Sequence, residues 1–232
     1  MNAKHFKRTF WDTVPVLTGY LFLGMGFGIL LAEQTGKGPL WAFLMALFVL
    51  AGSGQYLAVE LLRDGTDLVS AGIAIFLVNA RHIFYGISLI DAYKNAGFKK
   101  LYMIFGLTDE TYSLVTQKQP PEGMARHSYC LLVTALNHSY WIIGCVLGNL
   151  AGSYIPISFQ GVEFVLTALF VTLFVDQWLG TKNHLPALIG VGCTAICLAV
   201  IGKDYFLIPS LVLIAILLIV TRKVKWRGRH AA

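Results

Sequence analysis

Eight apolar stretches fill the chain, at roughly 14–33, 40–62, 67–90, 99–117, 127–150, 162–180, 185–201 and 205–221. A helix needs about 20 apolar residues to cross a bilayer, with a working range of about 17–25. Backbone in hydrocarbon must satisfy its own hydrogen bonds, so runs this continuous predict helices. A β-barrel would need ten-residue segments of alternating polarity, which the runs lack. The separators are turn and breaker clusters. Early ones are Thr35-Gly36-Lys37-Gly38-Pro39, Arg63-Asp64-Gly65, Lys94-Asn95-Ala96-Gly97 and Gln119-Pro120-Pro121-Glu122-Gly123. Later ones are Pro156 with Ser158, Lys182-Asn183-His184 and Lys203-Asp204. Eight helices would use about 160 of the residues, which leaves no room for a soluble domain. The expected fold is therefore an all-α polytopic membrane protein with about eight transmembrane segments, some of them discontinuous. One transporter-sized domain spans residues 1–232.

Charge supports this class. Only 13% of the 232 residues are charged, and mean hydropathy is +0.67. Soluble domains carry about 25% charged residues. The net charge of +6 sits largely at the ends, with three basic residues in the first eight and five after Thr221. That distribution suits an anionic membrane face and argues against a nucleic-acid partner. With eight spans, twelve Lys and Arg fall on the side of both termini and five on the other. The positive-inside rule then puts both ends in the cytoplasm of a bacterial inner membrane. The Lys94, Lys99 and Lys100 cluster runs against this count, so the fourth stretch is a candidate for entering the membrane without simply crossing it. The first stretch reads as an uncleaved span, because no small-x-small cleavage site follows it. Cys130, Cys145, Cys193 and Cys197 lie inside apolar runs and read as small packing residues.

Sliding the sequence by 94 residues lays Ala74-Ile75-Phe76 on Ala168-Leu169-Phe170, Gly86 on Gly180 and Gly54-Gln55 on Gly148-Asn149. This suggests halves 10–92 and 98–182 of opposite membrane orientation, followed by a two-helix extension at 185–221. Gly24 with Gly28, and Gly144 with Gly148 and Gly152, repeat every four residues and predict close helix packing.

The informative residues are polar ones that lipid should exclude. The second stretch carries Gly52-Ser53-Gly54-Gln55-Tyr56. Two glycines either pack a neighbouring helix or mark a break, and a break would open backbone N–H and C=O groups beside the Gln55 amide. The third carries Asn79, Arg81, His82 and Tyr85. An arginine here costs at least about 2.5–3.5 kcal/mol on insertion scales and needs an anion or a wet cavity. The fourth stretch offers Asp109 and Glu110. The pair either fixes helix register or forms a site for substrate, protons or both. His138 with Asn137, and Asp176 with Gln177, are further polar interruptions. Nucleotide-binding motifs and metal-binding patterns such as HExxH are absent, so neither a cofactor nor a metal is expected.

Three segments together resemble the AzlC-type family, the large subunit of two-component branched-chain amino acid exporters. They are Ala51-Gly52-Ser53-Gly54-Gln55-Tyr56, Asn79-Ala80-Arg81-His82-Ile83-Phe84-Tyr85-Gly86 and Asp109-Glu110-Thr111-Tyr112. Pro15 with Gly24, Gly26 and Gly28, and Gly161-Val162-Glu163-Phe164, extend the likeness over about 15–180. The family more often has Gly-Ser-Ala-Gln at the first motif and Leu-Asp where this chain has Val162-Glu163. The resemblance implies export of valine, leucine and isoleucine, with methionine as a fourth substrate. It also implies a small AzlD-type membrane subunit of about four spans. Without an ATP-binding domain, uphill export would be proton-coupled antiport by alternating access. The expected substrate site is Gly52, Ser53, Gly54, Gln55, Tyr56, Asn79, Arg81, Tyr85 and Asp109, and the expected proton-coupling groups are Asp109, Glu110 and His82. A passive small-solute channel and an intramembrane enzyme using a His–Asp pair are the competing classes. Saturation with proton coupling distinguishes the first, and a chemically altered product the second.

Overall fold

The computed structural model describes residues 3–94, 96–154, 164–181, 183–202, 206, 209–210, 212–214 and 216–221. Ten helices run through them: α1 (Ala3–Thr35), α2 (Pro39–Val49), α3 (Gly52–Arg63), α4 (Leu68–Asn79), α5 (Arg81–Ser88), α6 (Lys99–Phe105), α7 (Asp109–Gln117), α8 (Arg126–Tyr154), α9 (Phe164–Gly180) and α10 (Leu185–Ile201). A further apolar helix covers Val212–Thr221. No strand occurs among the described residues. Residues 155–163, including Pro156, Ser158 and Gly161-Val162-Glu163, lie outside them, as do Lys182, Lys203, Asp204, the basic residues after Thr221, and the side chains of Asp176 and Gln177.

Two units make up the chain, Met1–Thr167 and Ala168–Ala232. The first is organised on α1 and α8, which are long and apolar enough to cross a membrane. They run parallel, because Asp12 meets Tyr129, Gly24 meets Cys145 and Ile29 meets Gly152. Their contact is backbone on backbone. A Cβ on Gly148 would land on the main chain of Met25, and one on Gly28 on the carbonyl of Cys145. Small residues at four-residue spacing allow this approach, and in a membrane such packing drives helix association. Asn149, fully buried, secures the turn after α1 by donating to the carbonyls of Gly28 (3.1 Å) and Lys37 (2.9 Å).

Between these helices the second, third and fourth apolar stretches each break into two short pieces. Pro39 at the start of α2 supplies a pre-set φ, and the helix ends at Val49, with Leu50 and Ala51 non-helical before α3. Eleven residues make a rod of about 17 Å, half of the hydrocarbon core. The contacts fix its direction. Lys37 meets Asn149 and Ala46 meets His138, so α2 runs inward, antiparallel to α8. Helix α3 runs back out: Gly52 lies against Trp141, Tyr56 bonds the Leu23 carbonyl, and Arg63 reaches Gln34 at 3.4 Å. The second stretch is therefore a helical hairpin that enters and leaves at the far end, where α1 finishes.

The fourth stretch makes the opposite hairpin. Lys99 at the start of α6 shares a cavity wall with His5 and Gly123, and Gly106 lies on Thr134 and Leu50. Helix α7 then returns to the near end, where the Arg126 guanidinium donates to the carbonyls of Val115 and Lys118. The third stretch joins the two ends through α4 and α5, bent by 47° at Ala80. Asp67 starts it by capping α4, accepting from the N–H groups of Val69 (3.0 Å) and Ser70 (3.1 Å).

Two expectations change. The five stretches of the first unit, expected as crossings with some discontinuous, form two long helices, one bent helix pair and two opposed hairpins. Lys4, Lys7, Arg8, Lys94, Lys99, Lys100, Lys118 and Arg126 thereby gather at the near end, with only Lys37 and Arg63 at the far end. Arg63 belongs opposite the N-terminus, and the Lys94–Lys100 cluster beside it. The halves 10–92 and 98–182 also differ element by element. The offset of 94 residues lays straight α1 on the α6/α7 hairpin, and the α2/α3 hairpin on straight α8.

In the second unit, the later part of α9 and α10 flank a cavity of about 770 Å³ whose walls include Phe174, Trp178, Pro186 and Thr194. Trp178 stacks on His184 with ring centroids 4.0 Å apart. Cys193 and Cys197 are buried, consistent with packing.

Candidate functional site

The three breaks meet midway along α1 and α8. At each, a half-helix begins: α3 at Gly52, α5 at Arg81 and α7 at Asp109. Half-helix N-termini carry unpaired N–H groups and a partial positive charge. Thr108 caps α7 by accepting from the Thr111 N–H (3.2 Å), and Asp109 and Glu110 occupy its first turn, where carboxylates suit the dipole.

An ion pair joins the breaks. Arg81 Nη2 lies 2.7 Å from Asp109 Oδ2, and the same nitrogen donates to Ser53 Oγ at 3.3 Å. Both side chains keep some exposure, 26% and 19%, so the pair borders a reachable space. Tyr85 lies within interaction range of the Asp109 carboxylate and stacks on Tyr112 at 4.5 Å. His82 stands beside Tyr85, with ring centroids 5.9 Å apart.

Several polar atoms here are buried without a partner: Gln55 Nε2, Asn79 Oδ1, Arg81 Nε and Asp109 Oδ1. Buried polar groups in native proteins are normally satisfied, and an orphaned one costs about 1–3 kcal/mol. Four orphans, donors and acceptors both, surround one ion pair and are free to bond a polar group. Gln55 is held for this by Trp141 Nε1, which donates to its Oε1 at 2.7 Å and leaves the amide nitrogen unused. Asn79 lies against Gly54, where a Cβ would meet its amide, and donates to the Ile75 carbonyl at 2.9 Å.

A second cluster adjoins the first. The Tyr20 hydroxyl from α1 lies 2.7 Å from Glu110 Oε2 and 2.6 Å from Thr108 Oγ1. Thr108 donates to Thr111 Oγ1 (3.1 Å), which also accepts from Asn137 Nδ2 (3.0 Å).

The geometry thus brings together Gly52, Ser53, Gly54, Gln55, Asn79, Arg81, His82, Tyr85, Asp109 and Glu110. Tyr56 is excluded. Its fully buried ring packs on Phe27 and its hydroxyl donates to the Leu23 carbonyl, so it belongs to the contact with α1. His138 also has a packing role. Its Nε2 donates to the Ala46 carbonyl (3.2 Å) and its Nδ1 meets the Tyr102 hydroxyl (3.0 Å), so both ring nitrogens are spent on neighbouring helices. Tyr20 and Trp141 had no signal in the sequence, since an aromatic in an apolar run looks like packing.

Fold and site together define the class: an all-helical membrane protein whose interrupted helices meet at a charged, incompletely satisfied polar site. The chain belongs to the AzlC family, whose model, described as AzlC protein, matches residues 15–155. It is 37% identical over 218 residues, 94% of this chain and 85% of the relative, to the "Branched-chain amino acid transport protein AzlC" of Bacillus subtilis. An "Uncharacterized membrane protein" of Helicobacter pylori is 41% identical over 220 residues, 95% of this chain and 96% of the relative. The "Inner membrane protein YgaZ" of Escherichia coli is 26% identical over 212 residues, 88% and 84% of the two chains. No solved structure matches the chain.

Proposed function

We propose that this protein is a proton-coupled exporter of valine, leucine and isoleucine, with methionine as a fourth substrate. It works in the bacterial cytoplasmic membrane beside a small AzlD-type subunit of about four spans. One observation carries the reading: the Arg81–Asp109 ion pair at three helix breaks, ringed by unsatisfied donors and acceptors. A free amino acid is a zwitterion, and the pair is its complement. The ammonium goes to Asp109, helped by Asn79 Oδ1. The carboxylate goes to Arg81, helped by Gln55 Nε2 and the N–H groups at Gly52–Gly54. In the empty site the two charges neutralise each other, and substrate separates them without leaving a bare charge in low dielectric. Tyr85, stacked on Tyr112, supplies an apolar wall for the branched side chain. Asp109, Glu110 and His82 are the groups available to carry protons. Transport named for the Bacillus subtilis relative supports the substrate class. Alternating access runs through the two opposed hairpins, one thin barrier at each end of the site, rather than through two three-helix halves.

Cells expressing this chain, with and without a small membrane partner, are fed valine-containing dipeptides. Intracellular valine should fall several times faster with the exporter present. Equal time courses in all cells would rule out export of valine.

Both termini are cytoplasmic in this reading. The near end, with eight of the ten Lys and Arg at the two ends of the first unit, faces the cytoplasm by the positive-inside rule. Single cysteines test it. Arg63→Cys should react with an impermeant maleimide in intact cells, and Lys100→Cys only after permeabilisation. The reverse pattern would restore the eight-span topology.

A further inference from the structure

We infer that the cavity at the near end, between the start of α1, the start of α6 and the first turns of α8, is a binding site for one anionic phospholipid. The cavity shares no wall residue with the Arg81–Asp109 site, so a lipid there neither requires nor excludes transport.

The cavity measures about 510 Å³, within the range of about 300–1,000 Å³ usual for small-molecule sites. Its wall carries two chemistries at two depths. His5, Lys99 and Ser128 supply polar groups, and Leu131, Leu132 and Ala135 supply an apolar floor. Helix α8 gives the depth scale. Its 29 residues make a rod of about 43 Å, as long as a bilayer is thick with its headgroups. Ala135 lies nine residues past Arg126, the first residue of α8, and so about 13 Å along the rod. The headgroup layer is about 5–8 Å deep on each side. The cavity therefore begins among headgroups and ends in hydrocarbon.

Charge narrows the occupant. Lys99 is exposed, and no carboxylate among the described residues pairs with it. Eight Lys and Arg at this end stand against three acids, Asp12, Asp91 and Glu122. Asp12 is taken by Arg8 and Tyr129. Glu122 is exposed, and its backbone carbonyl accepts from His5 Nε2 at 3.1 Å, which ties the start of α1 to the turn before α8. A soluble anion would use Lys99 and leave the apolar floor uncovered. A neutral acyl chain would cover the floor and leave Lys99 without a counter-charge. A phosphate joined to an acyl chain meets both needs, with the phosphate beside Lys99 and the chain along Leu131, Leu132 and Ala135. Basic pockets between transmembrane helices hold anionic headgroups in this way. Bound there, the lipid links α1, α6 and α8, and so fastens the first arm of the α6/α7 hairpin to the two long helices.

The test offers the full chain, purified in neutral detergent, equal amounts of phosphatidylglycerol and phosphatidylcholine with identical acyl chains. Native mass spectrometry counts the lipids that stay bound. The wild type should retain phosphatidylglycerol in about fivefold excess, the factor contributed by one lysine beside an anionic headgroup. Lys99→Gln should lose most of that preference, and Lys99→Arg should keep it. Lys37→Gln, the same charge change at the far end, should match the wild type. Ala135→Phe, which fills the floor and leaves every charge in place, should lose the preference, whereas a diffuse basic surface would keep it. An undiminished preference in K99Q or in A135F overturns the assignment. Displacement of phosphatidylglycerol by inorganic phosphate would make this a site for a soluble anion. Loss of the preference on co-purification with a small membrane partner would make the cavity that partner's seat. Either result also overturns it. Should A135F not accumulate, the contrast between K99Q and K37Q decides alone.

Discussion

Asp109→Asn should abolish export of valine and leucine while the protein still accumulates in the membrane. The change is nearly isosteric and leaves an acceptor oxygen facing Arg81, so the helix breaks keep their shape. It removes the negative charge that pairs with Arg81 and meets the substrate's ammonium, and Glu110, whose Oε2 is engaged by Tyr20, does not reach Arg81 to replace it. Truncating one partner of a buried charge pair costs about 2–5 kcal/mol or more, which is about a 30-fold loss at the least. The site carries a second penalty. Arg81, deprived of its carboxylate, sits in a low-dielectric region beside Ser53 and the unpartnered atoms of Asn79 and Gln55. It then attracts the substrate's carboxylate but repels its ammonium, so a carboxylic acid lacking the amine should compete better in the variant than in the wild type. Export rates and competition by isovalerate, measured at matched protein levels, test both statements. Wild-type export by D109N would remove Asp109 from the site and end the zwitterion argument. Asp109→Glu, which keeps the charge on a longer arm, should retain part of the activity.

The residues of this site were legible in the sequence because lipid makes them conspicuous. Arg81 in an apolar run demands an explanation wherever it occurs, and Asp109 and Glu110 were its candidate partners. The glycines at 52 and 54 marked the break to within two residues. The path of the chain through the membrane was not legible. Hydropathy measures transfer into hydrocarbon and carries no direction. A 23-residue run reads alike as one span or as two half-length arms folded back at Leu50 and Ala51. Charge held the only hint, in lysines 94, 99 and 100 standing on the wrong side of an eight-span count. Tyr56 was misplaced for a related reason: one residue along a helix turns a side chain by about 100°, enough to carry it from the site to α1. Tyr20 and Trp141 stayed hidden because only tertiary contact turns an aromatic polar tip toward a buried acid or amide.

Gly148→Leu should prevent the first unit from assembling. A Cβ at this position already meets the backbone of Met25, and a leucine adds three further carbons where none fits. Flexible side chains can give way, but the obstruction here is main chain on α1, so the helices themselves must part. Overpacking in a core that can adjust costs about 1–3 kcal/mol, and a contact that cannot adjust costs more. Separation would also detach Asn149 from the carbonyls of Gly28 and Lys37, stranding buried polar groups where no water can replace the lost bonds. Tyr20 would move with α1, taking its contacts with Glu110 and Thr108. Even Gly148→Ala should lower the melting temperature in detergent, since its one added carbon meets the same obstruction. Gly72→Leu is the control: nothing lies within 4 Å of a Cβ there, and a better helix former on an exposed face of α4 should be tolerated. Size-exclusion profiles and melting curves of the three variants decide the matter. A monodisperse G148L with wild-type melting would mean that α1 and α8 do not touch backbone to backbone, and that the site they frame is built differently.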